Sequence, residues 1–238
     1  MGRNKLPLKL GIENMKYILS ASTAALLLAL QAIATGGANY LLIWPALSLI
    51  TVAGAYSGIG AGVFGKRADG TMRPFNRLLM LPFCIPYELA WKLYLSKQEP
   101  AWHLITPGLW LGRRVRAEEL PNGTGLVVDV TAEFESFKTV RENYTYWTLP
   151  TLDARTASTE KFKELSERIA AWSQSGVYIH CAKGRGRSTT LLVAVLLERN
   201  HVESIDEAMN LIRSHRPQVR LHKPQRKVLE SLYERAKT

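Results

Sequence analysis

The run Val177-Tyr178-Ile179-His180-Cys181-Ala182-Lys183-Gly184-Arg185-Gly186-Arg187-Ser188 leads directly into residues 189–199, TTLLVAVLLER. Val177 to Ile179 has the composition of a short buried strand, and residues 189–199 that of a largely apolar helix. What lies between is a strand-to-helix turn. In such a turn the backbone N–H groups of the loop and of the first helical turn point inward unpaired. With the positive end of the helix dipole they make an anion site. Gly184 and Gly186 are expected to let the loop curl tightly. Arg187 adds a planar fork of donors that grips two oxygens of one phosphoryl group, which lysine does not do in the same geometry. Cys181 stands at the base of this trap, and the same cationic surroundings are expected to hold its thiol well below the free value of about 8.5.

The nine residues from His180 to Ser188 match the His-Cys-x5-Arg-Ser/Thr signature, and the chain here resembles the cysteine-dependent phosphatases of the dual-specificity type. The resemblance implies transfer of a phosphoryl group to Cys181 and then to water, with no metal and no cofactor. It implies that Ala182, Lys183, Gly184, Arg185 and Gly186 bind the substrate phosphate together with Arg187. It also implies that His180 holds the loop and tunes the thiolate, while the Ser188 hydroxyl donates to the sulfur as it leaves the phosphoenzyme.

The family supplies the proton for the leaving oxygen from an aspartate on a loop upstream of the cysteine. Asp153, in Leu149-Pro150-Thr151-Leu152-Asp153-Ala154-Arg155-Thr156, matches that position. It follows a strand expected over residues 144–149 and precedes a helix expected from Ser158 or Thr159. It therefore falls on a loop at the same sheet edge as the phosphate loop. One aspartate then acts twice, as acid to the departing alkoxide or phenoxide and as base to the attacking water. Asp129 lies within a strand, where capping the next loop is the expected role, and it is left out of catalysis.

The other end of the chain is apolar. Residues 17–35 and 40–64 carry no charge and are each long enough to span a bilayer core, with only Gly36, Gly37, Ala38 and Asn39 between them. Arg3, Lys5, Lys9 and Lys16 precede the first span, and Lys66, Arg67, Arg73 and Arg77 follow the second. The turn has no basic residue, so both termini are expected in the cytoplasm. Ala21, Ala25 and Ala29 in the first span, and Gly54, Gly58 and Gly62 in the second, recur every four residues and are expected to let the spans pack closely. Residues 78–95 (LLMLPFCIPYELAWKLYL) are too short in apolar length to span. They are expected to lie in the headgroup region, the alternative being a helix packed on the catalytic domain.

Three parts follow: a transmembrane hairpin over 1–66, a basic and interfacial amphipathic linker over 67–101, and a catalytic domain over 102–238. In the last, strands expected at 109–112, 125–131, 144–149 and 177–180 alternate with helices. Ser204-Ile205-Asp206-Glu207 opens one late helix and Pro224 another, running to Ala236. The expected fold is α/β, with a mainly parallel central sheet flanked by helices. It resembles the dual-specificity phosphatase domain across nearly all of residues 102–238.

The net charge of +11 is shared by both halves. For a chain in the membrane its natural partners are the anionic cytoplasmic leaflet and phosphorylated substrates, and no motif supports nucleic acid. Cys84 and Cys181 do not suggest a disulfide, in keeping with a reducing compartment. Lys183 and Arg185 put two further cations in the loop, and by resemblance basic residues there occur in phosphatases of phosphoinositides and of phosphatidylglycerophosphate. The expected substrate is a membrane phospholipid phosphate. A dual-specificity (Tyr/Ser/Thr) protein phosphatase and a silent membrane-tethered phosphate-binding module are the alternatives.

Overall fold

A computed structural model describes residues 12–95 and 100–233. Arg3, Lys5 and Lys9, the linker at 96–99 and the helix end expected at Ala236 lie outside the described residues. The described chain divides into two compact units. One comprises the first 65 residues with Arg73–Tyr87, the other Lys66–Met72 with Glu88 onward.

In the first unit α1 (Ile12–Thr35) turns through a short 3-10 segment, Gly37–Leu42, into α2 (Ile43–Gly54). Two segments, Met15–Thr35 and Gly37–Ile59, are long and apolar enough to cross a membrane. Ala21, Ala25 and Ala32 are buried between the helices, while Leu19, Leu26, Leu27, Leu30 and Ile33 face outward. The second span differs from the continuous helix expected over 40–64. After Gly54 the backbone loosens into a wide turn, Ala55–Ile59, with Gly58 at φ 131° and Gly60 at φ 87°. A Cβ on Gly54 would collide with the Ile59 side chain folded back on it. Gly54 and Gly58 therefore end the helix, and the stripe of small residues expected there does not form. Pro45 sits in the first turn of α2, where its missing N–H costs no helical bond.

A further helix, α3 (Pro74–Leu95), holds Pro82 and Pro86. It exposes Phe75, Leu78, Ile85, Leu89 and Leu93, and it buries Met80 and Trp91.

The second unit is built on a five-stranded sheet, β1 (Trp102–Thr106), β2 (Leu109–Arg113), β3 (Thr124–Thr131), β4 (Thr145–Thr151) and β5 (Gly176–Cys181), in the order β1-β2-β5-β3-β4. Only β1 runs antiparallel, as an edge strand absent from the sequence reading. It is short and half exposed, so its residues lack the buried pattern of the others. Alternation along the strands sorts the core. Leu126, Val128, Val130, Val177 and Ile179 meet the helices on one face, while Val127 and Tyr178 face a smaller cluster with Val115, Leu120 and Val140.

The helices are α4 (Lys138–Asn143), α5 (Thr159–Ala170), α6 (Arg187–Glu198), α7 (Ile205–His215) and α8 (Lys223–Tyr233). Ser158 and Ser204 cap α5 and α7 through their side chains. Residues 187–196 of α6 are all buried, so it is the central helix of its layer. It starts two residues before the expected Thr189, which places Arg187 in its first turn.

Candidate active site

Parallel pairing of β2, β5, β3 and β4 brings their C-terminal ends to one edge, where Cys181, Glu133, Thr151 and Asp153 collect. Cys181 ends β5, residues 182–186 form the loop, and Gly186 precedes α6. Cys181 is buried, and two donors meet its sulfur: the Gly184 N–H at 3.2 Å and the Ser188 hydroxyl at 3.3 Å. Burial pushes the thiol pKa up. The Arg187 charge and the hydrogen bonds from Ser188 and from loop N–H groups outweigh it, so the thiol lies below its ordinary value.

Gly184 sits at φ +67°, and a Cβ there would overlap the Gly112 carbonyl on the adjoining strand. Gly186 differs: its φ is −124°, and a Cβ would meet only ordinary contacts near Gln225. The tight curl expected of both glycines therefore rests on Gly184. Gly184→Ala is expected to lower kcat/KM for an aryl phosphate by about 100-fold, because displacing the loop by about 1 Å misaligns every donor at once. Steady-state kinetics on folded protein check this, and activity within threefold of wild type would refute it.

Arg187 is buried and held from below. Its two terminal nitrogens donate to both carboxylate oxygens of Glu133 at 2.7 and 2.8 Å, and one also donates to the Thr151 carbonyl. A paired, planar guanidinium is fixed in one orientation. Asp153, half exposed, stands 3.4 Å from the Arg187 Nε. Its neighbours Leu152 and Ala154 are buried, and Ala154 takes the left-handed conformation (φ 57°), which turns the aspartate outward between them. Gln225, fully buried, donates to the Arg155 carbonyl and steadies the same loop from α8.

The loop carbonyls are pinned as well. Arg216, buried at the end of α7, donates to the carbonyls of Gly184 and Lys183. The Trp91 indole N–H donates to the Ala182 carbonyl at 2.7 Å, and Arg114 stacks over Trp91, Phe134 and Phe137 beneath it. Lys183 is exposed and Arg185 half-buried. His180 is buried, with Nδ1 3.3 Å from the Cys181 carbonyl and Nε2 3.9 Å from Asp129.

The structure therefore gathers His180, Cys181, Arg187, Ser188 and Asp153 at one sheet edge. Glu133, Arg216, Trp91 and Gln225 escaped sequence reading. Among the described residues no group of three His, Cys, Asp or Glu gathers as metal ligands. A thiol held below its ordinary pKa beside a rigid guanidinium and loop N–H donors, with a carboxyl at the rim, is equipped to receive a phosphoryl group and to exchange a proton with its leaving oxygen.

Comparison with known proteins agrees with this fold. Human DUSP28 superposes with a TM-score of 0.51 at 17% identity, covering 59% of this chain and 98% of that one. The human tyrosine phosphatase-like serine/threonine/tyrosine-interacting protein superposes at 0.52 and 18% identity, covering 59% and 100%. At such identities they show a shared fold. A phosphatidylglycerophosphate phosphatase of Arabidopsis thaliana, PTPMT2, is 47% identical over 53 residues, 22% of this chain. The chain spans only 23% of that relative's length. The family model described as dual specificity phosphatase, catalytic domain, matches residues 109–235, more than half of the chain and all of the sheet edge just described. The chain thus belongs to the dual specificity phosphatase family.

Proposed function

We propose that this chain is a membrane-anchored phosphatase that hydrolyses phosphomonoesters through a phosphocysteine intermediate, with a membrane phospholipid phosphate as its preferred substrate. The observation that carries the chemistry is the convergence on the Cys181 sulfur of the Gly184 N–H and the Ser188 hydroxyl, with Arg187 locked beside it by Glu133. The Cys181 thiolate attacks phosphorus, the bond to the leaving oxygen breaks, and Asp153 gives that oxygen its proton. Water then attacks the phosphocysteine and hands a proton to Asp153. Sulfur departs as thiolate under the Ser188 hydroxyl, and inorganic phosphate is released. Arg187 and the loop N–H groups hold the equatorial oxygens through both steps. His180 acts behind the loop and touches no substrate.

The lipid preference is supported by three observations. Lys183 and Arg185 add cations at the loop beyond the one the chemistry uses. Two apolar segments are fit to cross a bilayer. PTPMT2, similar over a short stretch, bears the name of a phosphatidylglycerophosphate phosphatase. In this reading both termini and the catalytic unit face the cytoplasm, since Lys16 precedes the first span, Arg67, Arg73 and Arg77 follow the second, and none lies between. The exposed Phe75, Leu78 and Ile85 on α3 suit the headgroup boundary. An anchored site samples lipid headgroups at high effective concentration.

The full chain, reconstituted in vesicles, is tested with Lys183 and Arg185 both changed to alanine. KM for an anionic phospholipid monophosphate in the bilayer is expected to rise by about 10- to 100-fold, the loss of one or two charge-assisted hydrogen bonds. KM for a small aryl phosphate should stay within about threefold. Equal losses on both substrates would restrict the two cations to the thiolate. Preferential turnover of phosphopeptides by the unaltered chain would favour a protein phosphatase.

A further inference from the structure

Lys66 comes just after the second apolar segment in the sequence, among the basic residues expected to mark the cytoplasmic side. Instead its side chain is wholly buried in the catalytic unit. A small hairpin carries it there: Lys66 bridges Met72, the Arg67 N–H donates to the Thr71 carbonyl, and Gly70 turns the chain at φ 80°. The Ser136 N–H donates to the Gly70 carbonyl, tying the hairpin to the segment after β3.

Inside, the Lys66 ammonium lies 2.6 Å from Asp129 Oδ2 and also donates to the Thr131 carbonyl and hydroxyl. Asp129 sits opposite His180 on the neighbouring strand. Its Oδ2 accepts from Lys66 and from the Tyr146 hydroxyl, and its Oδ1 from the Thr131 N–H and hydroxyl. Those four donors fill the acceptor sites of a carboxylate. His180 Nε2, 3.9 Å away, is too distant for a hydrogen bond. With Nδ1 turned to the Cys181 carbonyl, the ring needs no second proton.

We propose that Lys66 is a positioning residue of the phosphatase site: by occupying Asp129 it keeps His180 uncharged and fixed behind the Cys181 loop. The inference rests on the Cys181-centred reading above. The charged and titratable groups around the cluster are Arg114 after β2, Glu133 after β3, Tyr146 on β4, and Tyr178 and Cys181 on β5. Burial presses His180 toward its neutral form. Asp129 pulls the other way, and the Lys66 charge opposes that pull. Burial alone would raise Asp129, yet the ammonium beside it holds the carboxyl well below the usual range. Removing Lys66 leaves a buried carboxylate with a vacated lone pair, and His180 is the nearest group able to bring it a proton.

The test uses the full chain in detergent micelles, with the imidazole signal of His180 followed by NMR against pH and assigned by its loss in His180→Asn. Iodoacetamide alkylation of Cys181 across the same range is the second readout. In the unaltered protein His180 should stay uncharged throughout native conditions, with any midpoint below the ordinary value of about 6.5. In Lys66→Met, and in Lys66→Gln, which retains a donor but no charge, the midpoint should rise above that value. The alkylation midpoint should fall, because a new cation then stands on the residue adjoining Cys181, against its carbonyl. Lys66→Arg should behave as the unaltered chain, and Lys66→Met combined with Asp129→Asn should return both midpoints toward it.

A lysine that merely offsets a buried charge would change stability and leave both midpoints of folded protein where they were, which would overturn the proposal. So would a His180 midpoint at or above the ordinary value in the unaltered chain, a measurement that needs no variant to fold. Persistence of the shift in the double variant would also refute it, since Asp129 would then not be the link. Failure of the phosphocysteine reading shows elsewhere, as turnover surviving in Cys181→Ser with the His180 signal unchanged.

Discussion

Cys181→Ser is expected to lower turnover of every phosphomonoester by at least roughly 10⁴-fold while inorganic phosphate still binds. The two effects separate because different atoms produce them. Binding is expected from the loop N–H groups and from the Arg187 fork, whose orientation is set by Glu133 and the Thr151 carbonyl. The Arg187 fork does not depend on the sulfur, and a serine oxygen can accept the Gly184 N–H that the sulfur now accepts. Attack on phosphorus depends on an anion at position 181. Arg187, Ser188 and loop N–H groups together outweigh burial and hold the thiol below its ordinary value there, which favours that anion. A serine hydroxyl begins far higher on the pKa scale, and the same surroundings do not bring it near neutrality. Steady-state kinetics on aryl and lipid phosphates, with calorimetric titration of inorganic phosphate, measure both arms. Substantial hydrolysis by the variant would remove Cys181 from the mechanism, and loss of phosphate binding would show that the loop had collapsed.

What the sequence made legible was local and periodic. The strand, the loop and the apolar helix around Cys181 are contiguous, so their order alone fixed the anion site. The runs at 125–131 and 144–149 announced their strands by composition. Residues acting across the fold left no such trace. Glu133 stands in Thr131-Ala132-Glu133-Phe134-Glu135, where two glutamates look alike, and only the turn after β3 aims one of them at Arg187. Arg216 lies 32 positions from the carbonyl it holds, at the end of a helix where a basic residue is already favoured by the dipole.

Lys66 and Trp91 show a different limit. Both fall in stretches whose neighbours suit a membrane boundary, so composition assigned them to that boundary. The structure places both side chains in the catalytic unit, one against Asp129 and the other on the Ala182 carbonyl. That unit consequently draws on residues before Trp102, and a chain cut at that point would lack both. Gly186 and the glycines of the second span were misjudged for one reason. A glycine's spacing does not reveal its φ: Gly184, Gly58 and Gly60 take positive φ, whereas Gly186, Gly54 and Gly62 do not.

Asp153→Asn is expected to reduce hydrolysis of substrates with poor leaving groups, such as alkyl and glyceryl phosphates, by roughly 10²- to 10⁴-fold, with a smaller loss on nitrophenyl phosphate. Asparagine preserves the size and the hydrogen-bonding shape of the side chain, so the loop held by Leu152, Ala154 and Gln225 should not move. What disappears is the proton. An alkoxide leaves phosphorus unaided only at great cost, whereas a nitrophenolate is stable enough to depart alone, so the ratio of the two losses reads the protonation step directly. The half-exposed position of Asp153, 3.4 Å from the Arg187 Nε, suits a group that must meet both solvent and the phosphoryl oxygens. With an aryl substrate the rate limit should pass to hydrolysis of the phosphocysteine, where the variant also lacks a base for water. Rapid mixing should then show a burst of nitrophenol equal to the enzyme concentration, followed by slow turnover. Equal losses on both substrate types, with no burst, would mean that Asp153 serves Arg187 as a structural partner and that the proton comes from another group.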